Sequence, residues 1–426
     1  MKVLIVNWSW YPTGGDWTYI YNLINLYEQN GVEVLHFSTK NAKNVESRYK
    51  EYFADSVDYK AANRKKDLKN LITVSRNSIV NENAVRNLNR LLDDHPGIDV
   101  AHLHNINHHI TPAVIPVLKK RNIRVVWSLH DYKILCPDSS FVSKDKVCEN
   151  CFNKKFYHCT LQKCKKGSLA GSMLATIEAY YYSKKKVYDQ VDAFLCPSSF
   201  IKNKFVEFGY DAKKLHVTNL CYDIKKLDDE LTKMKGATAK EVIPAEDRFI
   251  LFIGRIEKIK GIFTLCEALK GTGIKLKIVG GGSDELLLAE YLKNNPDLAI
   301  EYLGFKDKSS VYDLTVRSEF LICPSEWYEN FPFSIIESFL MQKAVIGASI
   351  GGIPELVIDG VTGSIFPSGN TDELKKKIVD LWESPGKAEQ MGINARKHVE
   401  ALVSFEQHWA KISGIFRSLN IEAKKN

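Results

Sequence analysis

Residues 324–363 read PSEWYENFPFSIIESFLMQKAVIGASIGGIPELVIDGVTG, and two glutamates, Glu329 and Glu337, stand here with seven residues between them. The preceding FLIC at 320–323 is a short apolar run of the length and type of a buried strand. From Phe333 onward the apolar residues recur at helical spacing, so the segment predicts strand, loop and helix. One carboxylate falls in the loop and the other on the first turns of the helix. Phe331, Pro332 and Phe333 fix the loop between them. N–H groups at a helix start favour hydroxyl or phosphate oxygens, and carboxylates accept hydrogen bonds from sugar hydroxyls. A lone glutamate pair is more often a loop charge and a solvated helix residue. Here its neighbours carry complementary chemistry.

Upstream, RFILFIGRIEKIKGIFTLCEAL at 248–269 predicts a buried strand, a glycine turn and an amphipathic helix. Arg255 and Lys260 leave the C-terminal end of that strand, where open α/β sheets bind ligands. Arginine grips phosphate oxygens in a fork and lysine adds a compact charge. Two cations there suit a diphosphate that leaves a sugar.

The chain resembles a family 4 glycosyltransferase on these residues. GRIEKIKG (254–261) is similar to the family's diphosphate-binding turn, and ENFPFSIIE (329–337) to its two-glutamate signature. IVGGGSDE, YLGFKDK and ASIGGIPELVIDGVTG resemble its nucleotide-domain loops; DVAHLHN and VVWSLHDYKILCP resemble its acceptor-domain strands. Relatives often carry E-G-F-G where this chain has Glu329-Asn330-Phe331-Pro332, which removes backbone freedom and one N–H donor. The resemblance implies an α/β chain of the GT-B fold, two Rossmann-like domains facing across a cleft. It also implies retaining, metal-independent transfer of a sugar from a nucleoside diphosphate to a glycan or polyprenyl-diphosphate-linked acceptor, as in surface polysaccharide and lipopolysaccharide synthesis. Arg255 and Lys260 then neutralise the leaving diphosphate, Glu329 holds the donor-sugar hydroxyls and Glu337 the ribose. Gly254, Gly280, Asn330 and Phe331 line the donor site, with Gly304 and Phe305 toward the base. His130 positions the acceptor or the donor's hydroxymethyl group. No cofactor is required for catalysis.

The rest of the chain predicts the same organisation. A length of 426 residues suggests two domains, and strands alternating with helices imply parallel sheets. Val3–Val6 starts the first strand, and AFLC (193–196) echoes FLIC (320–323), each followed by Pro-Ser. Residues 40–70 are polar and poorly periodic, a long loop with short helical pieces. Strand signals vanish between Tyr222 and Pro244. The expected domains are therefore 1–224 for the acceptor, with a cysteine-rich insertion at 136–166, and 225–405 for the nucleotide sugar. The helix in 406–426 returns to the first domain, as in relatives. No signal peptide or long apolar run is read, so the expected location is cytoplasmic, peripheral at the inner face of the membrane.

Charge separates the halves. Residues 1–224 hold 32 Lys and Arg against 22 Asp and Glu, and the rest hold 27 against 29. Runs such as Arg64-Lys65-Lys66, Lys119-Lys120-Arg121 and Lys184-Lys185-Lys186 suit anionic lipid or polyprenyl diphosphate. No nucleic-acid motif accompanies them. The segment Leu169 to Tyr188, where Tyr180, Tyr181 and Tyr182 adjoin the last run, predicts contact with an anionic membrane surface, against the alternative that the tyrosines form one face of an ordinary helix packed on the domain.

Three further features of the first half carry chemistry. Gly14 and Gly15 let backbone approach a diphosphate. His130 and Asp131 end a strand at the ligand-binding edge, while His102 and His104 share one face of the preceding strand and read as packing or cleft lining. His108 and His109 lack partners that would complete a metal set. Cys148-x-x-Cys151 with Cys159 and Cys164 has the ligand count of a structural zinc site, although the wider second spacing favours free thiols packed in a small hairpin.

Competing classes are an epimerase or phosphorylase on a similar fold, and a non-catalytic subunit that binds a sugar nucleotide. A dinucleotide oxidoreductase fits least, because Gly280–Gly282 lacks the further glycine and acidic ribose partner.

Overall fold

The structure, a computed structural model, describes residues 1–56, 76–107, 109–237 and 247–421, with the side chains of 235–237 excepted. The run Arg64-Lys65-Lys66, His108 and the end of the expected boundary segment lie outside the described residues. The chain forms two compact units. One takes Met1–Ser143, Cys148–Cys221 and the chain from His408, and the other takes Lys144–Val147 and Tyr222–Gln407.

The first unit is built on a six-stranded parallel sheet. Its strands are β1 (Lys2–Val6), β2 (Glu33–Phe37), β3 (Val100–Leu103), β4 (Arg124–Ser128), β5 (Ala193–Cys196) and β6 (Leu215–Val217), in the order β2-β1-β3-β4-β5-β6. Near-continuous apolar runs such as VLIV are what a parallel sheet covered on both faces requires, and Val3–Val6 are fully buried. Val3 pairs with Val34 on one side and Val100 on the other. The winding reverses between β1 and β3, so the loops after these strands open a crevice at their C-terminal ends.

The second unit repeats the plan with β7 (Ile250–Ile253), β8 (Leu276–Val279), β9 (Ile300–Tyr302), β10 (Phe320–Cys323), β11 (Ala344–Ala348) and β12 (Gly363–Phe366). All neighbours are parallel and the order is β9-β8-β7-β10-β11-β12. Winding here reverses between β7 and β10. The turn with Arg255 and Lys260 follows β7, and the loop with Glu329 follows β10.

Local chemistry sets the remaining elements. The segment without strand signals begins as a helix, Ile224–Ala237. The described part of the polar loop is pinned by buried Tyr49, Tyr52 and Phe53 and by a bridge between Thr39 and Ala54. The last helix, Phe405–Ser418, buries His408, Ile412, Ile415 and Phe416. Phe416 stacks on Tyr27 at 6.2 Å and Trp409 meets the same ring edge-on, which seats this helix on the first unit's sheet layer.

The cysteine-rich segment does not assemble the expected zinc ligands. Among the described residues no three His, Cys, Asp or Glu are grouped to hold a metal ion. Cys151 and Cys159 instead join Phe156 and Ala175 in a small apolar cluster, with Cys164 against it. The Cys148 thiol reaches Gln162 Oε1 at 3.5 Å. Burial pushes the Cys151 thiol up to about 12, which favours the neutral thiol over a thiolate.

Candidate active site

The second unit concentrates the predicted donor residues at the crossing of two loops. Gly261, with φ of 70°, ends the β7 turn, and a Cβ there would lie 1.9 Å from the Pro324 carbonyl oxygen in the β10 loop. Only glycine permits this approach. The turn therefore presses on the loop, and Lys260 reaches across it. Its Nζ lies 2.6 Å from Glu329 Oε1. Ser325 Oγ donates to the same oxygen at 2.7 Å and Trp327 Nε1 at 2.9 Å.

Glu329 is buried. Burial works to raise its pKa, but the Lys260 charge and the hydrogen bonds from Lys260, Ser325 and Trp327 outweigh it and hold the carboxyl below its usual range. Its backbone is fixed as well, since the Gly352 N–H donates to the Glu329 carbonyl at 2.7 Å. The GG turn after β11 is thus the seat of this glutamate. Asn330 is half-buried and Phe331 buried, so the loop's position is set by packing.

Both cations face one aromatic ring. Lys260 Nζ is 4.8 Å from the Trp327 ring centre and the Arg255 guanidinium is 5.8 Å from it. Arg255 is more exposed than Lys260 and pairs with Glu257 Oε1 at 2.7 Å. One cation is therefore locked and the other is held at the surface by a neighbouring carboxylate.

Glu337 occupies a different setting. It sits on the helix Phe333–Leu340, where Tyr222 Oη donates to its Oε1 at 2.8 Å. Tyr222 and Tyr312 share a second hydrogen bond of 2.8 Å between their hydroxyls. Burial raises the Glu337 pKa, against the lowering by Tyr222 and Lys308. Sequence reading did not single out Ser325, Trp327, Tyr222 or Tyr312. The first two were legible as neighbours in the PSEW run, whereas the tyrosines lie far from Glu337 in sequence.

The glycine loops behave as a packed tier. Gly280 lies against Gly254, where a Cβ would meet the Gly254 carbonyl at 1.9 Å. The Gly280 N–H donates to Gly304 at 3.0 Å. Phe305 is 85% exposed, so its ring is offered to solvent rather than to the core.

In the first unit the predicted residues gather at the β1/β3 reversal. Gly14 precedes the helix that begins at Gly15. Asp16 of that helix accepts a 2.8 Å bond from Asn105 in the loop after β3. His130 Nε2 and His104 Nδ1 share a hydrogen bond of 3.0 Å. His102 stacks on His104 at 4.4 Å and bonds to Tyr27 and Ser128, each at 2.8 Å. Burial lowers all three imidazoles, His130 to about 4 against the raising effect of Asp16, so they are neutral at pH 7. His408, unremarked in sequence, joins this group by bonds to Tyr19 at 3.2 Å and to the Asn219 carbonyl at 2.8 Å.

Comparison with known proteins places these geometries. The profile described as Glycosyltransferase Family 4 matches residues 13–226, and that described as Glycosyl transferases group 1 matches residues 235–398. An uncharacterized glycosyltransferase of Methanocaldococcus jannaschii is 27% identical over 54% of this chain and 61% of its own length. The D-rhamnosyltransferase WbpZ of Pseudomonas aeruginosa is 32% identical over 36% of this chain and 41% of its own. The alpha-D-kanosaminyltransferase of Streptomyces kanamyceticus is 25% identical over 45% and 52%. The chain thus spans about half the length of these relatives. Among solved structures, sucrose-phosphate synthase from Thermosynechococcus elongatus superposes with a TM-score of 0.67 at 16% identity, covering 98% of this chain and 99% of its own. The lipopolysaccharide outer core galactosyltransferase WaaB gives 0.63 at 16% identity, and Anabaena HepE in complex with UDP and glucose gives 0.61 at 17%. Each covers 98% of this chain and 100% of its own. These likenesses show a shared fold, GT-B, built of two Rossmann-like units.

Proposed function

The chain belongs to glycosyltransferase family 4, and from that premise we propose that it is a retaining transferase that moves a sugar from a nucleoside diphosphate to a glycan or lipid-linked glycan. The observation that carries this is the Lys260–Glu329 pair at the β7/β10 reversal, with Arg255 beside it. A cation there meets the diphosphate and a carboxylate meets sugar hydroxyls, both at the edge where open α/β sheets bind ligands.

The chemistry follows from charge. The bond between the anomeric carbon and the diphosphate oxygen breaks while the acceptor oxygen bonds to the same face of that carbon. The acceptor's proton passes to the departing diphosphate. Negative charge grows on the leaving group, and Lys260 and Arg255 stabilise it. No step is assigned to a metal ion, because these two side chains supply the required positive charge. Glu329, kept ionised by its donors, orients the sugar hydroxyls. Glu337 takes the ribose, with Tyr222 holding its carboxylate. Gly254, Gly280, Gly304, Asn330, Phe331 and Phe305 line the nucleotide, and Gly14 and Gly15 approach the diphosphate. His130, neutral and fixed by His104, positions an acceptor hydroxyl or the donor's hydroxymethyl group.

Named relatives support polysaccharide or glycoconjugate synthesis as the setting, one of them a D-rhamnosyltransferase and one a protein of a Klebsiella pneumoniae cps region. We place the reaction on the cytoplasmic side of the membrane. Among the described residues no helix is long and apolar enough to cross one.

The test is direct. Thermal-shift titration with uridine, guanosine and adenosine diphosphates should show one base preferred. Lys260→Ala or Arg255→Ala should lower transfer from the matching sugar nucleotide about a hundredfold, the scale of one lost charge-stabilising donor. Near-parental transfer by either variant removes that residue from the mechanism, and stabilisation by none of the diphosphates removes the donor assignment.

A further inference from the structure

The helix Leu169–Lys184 is built inside out. Its buried positions are Ser172, Ala175, Thr176, Glu178 and Tyr182. Its apolar side chains face water instead: Leu169 is 54% exposed, Met173 50% and Ile177 49%, followed by Tyr180 and Tyr181 at 40%. The four-residue spacing of the first three, continued by the two tyrosines, draws a single stripe along the helix. A helix on a globular domain ordinarily turns such a stripe inward. The preceding helix, Tyr157–Gln162, packs alongside through a 2.8 Å bond between Thr160 and Thr176 hydroxyls. It adds Tyr157 and Leu161, the latter 70% exposed. Single exposed apolar residues need no explanation, but a face shared by two helices marks an interaction site.

The charge around this face chooses its occupant. Residues 151–186 contain eight lysines and one acid, Glu178. That acid is buried in an ion pair with Lys133 at 2.8 Å, so it offsets nothing at the surface. Lys184, Lys185 and Lys186 are exposed at the end of the stripe, and Lys154, Lys155, Lys163 and Lys166 are exposed around the other helix. A second copy packed here by two-fold symmetry would bring the same lysines face to face. An apolar stripe with tyrosines and a lysine rim is what an anionic bilayer surface accepts, with rings at the interface and ammonium groups at the headgroups.

We propose that these two helices form a docking face by which the first unit lies on an anionic membrane. The longer helix, about 24 Å end to end, rests in the plane of the interface. Tyr182, which the run of three tyrosines placed on this face, is instead buried and donates to the Ile79 carbonyl. The ion pair from Glu178 fixes the helix to the loop after β4, three residues beyond His130. Docking is thereby tied rigidly to the histidine expected to meet the acceptor. The face is independent of the donor residues in the second unit.

Co-sedimentation of the full chain with vesicles tests it. The protein should pellet with mixed phosphatidylglycerol and phosphatidylcholine, stay in solution with phosphatidylcholine alone, and be released by salt. A Met173→Glu, Ile177→Glu double variant and a Lys184→Gln, Lys185→Gln, Lys186→Gln triple variant should each bind the anionic vesicles at least about tenfold more weakly. Both variants change exposed side chains, and nucleoside diphosphate affinity should equal that of the parent. That measurement separates failure of the docking face from failure of the donor site. Absence of parental binding to anionic vesicles overturns the proposal, as does undiminished binding by the Met173→Glu, Ile177→Glu variant. A parent dimer that this variant dissociates, without vesicle binding, assigns the face to a second copy and overturns it too.

Discussion

Glu329 and Glu337 share a side chain and differ in electrostatic state because their partners differ. Glu329 has a cation and two neutral donors on one oxygen, which lower its pKa despite burial. Its contribution to stability is therefore present above the ordinary carboxylate pKa and is lost as pH falls through the depressed folded value. Replacing Glu329 by Gln should cost about 3 kcal/mol at neutral pH, because the half-buried Lys260 is left without its counter-charge. Urea midpoints should show the gap closing in acid. Glu337 runs the other way. Burial raises its pKa, so ionising it opposes folding, and its stabilising share is present at low pH and falls as pH rises through the raised folded value. Glu337→Gln should hold or raise the melting temperature at neutral pH while weakening nucleoside diphosphate binding, a split that calorimetry in the two modes would read. A melting temperature that drops as far as that of Glu329→Gln would contradict this assignment.

At the scale of elements, loops are placed by backbone contact where side chains are absent. Gly261 carries a positive φ and also abuts Pro324. Gly271 has a similar φ of 72° with nothing within 4 Å of its would-be Cβ. Alanine at Gly271 should pay only the dihedral cost, about 1 kcal/mol. Alanine at Gly261 should cost clearly more and separate Lys260 from Glu329, which would appear as a larger drop in unfolding free energy together with lost diphosphate binding. Equal costs would mean the loop yields and the contact is not what positions the lysine. The cysteine segment obeys packing too. Cys159 donates to Cys164, which lowers the latter thiol's pKa, and both pack in the small apolar cluster. Metal analysis should find well under one zinc per chain, and chelator should leave the melting temperature unchanged. Stoichiometric zinc whose removal lowers stability would restore the four-cysteine site and require the sulfurs to regroup.

For the molecule as a whole, the final helix is a part of the first unit supplied from the far end of the chain. It contributes His408, Ile412 and Phe416 to that unit's interior, and Lys411 bonds Asn219 at 2.9 Å. Ending the chain before His408 should therefore destabilise the first unit and spare the second. Differential scanning calorimetry should show one transition lowered, with nucleoside diphosphate still stabilising the other. A single uniform loss would mean that the two units unfold as one cooperative block.

The two sheets were legible because the central strands of a parallel sheet covered on both faces are near-continuously apolar, and VLIV, VVW, ILFI and FLIC are unbroken runs. Arg255, Lys260, Glu329 and Glu337 were legible because each lies directly after such a strand or at the start of the next helix, where ligands bind in this architecture. The partners that tune them were not. Tyr222 reaches Glu337 from more than a hundred positions away, and His408 reaches Tyr19 from nearly four hundred. Periodicity carries no information about contacts at that separation. The segment Leu169 to Tyr188 was legible as a candidate contact from its tyrosines and lysines, but the outward stripe of Leu169, Met173 and Ile177 was not, for a related reason. Spacing shows that residues share a face of a helix, but only the tertiary structure decides which face meets the protein and which is left for a partner.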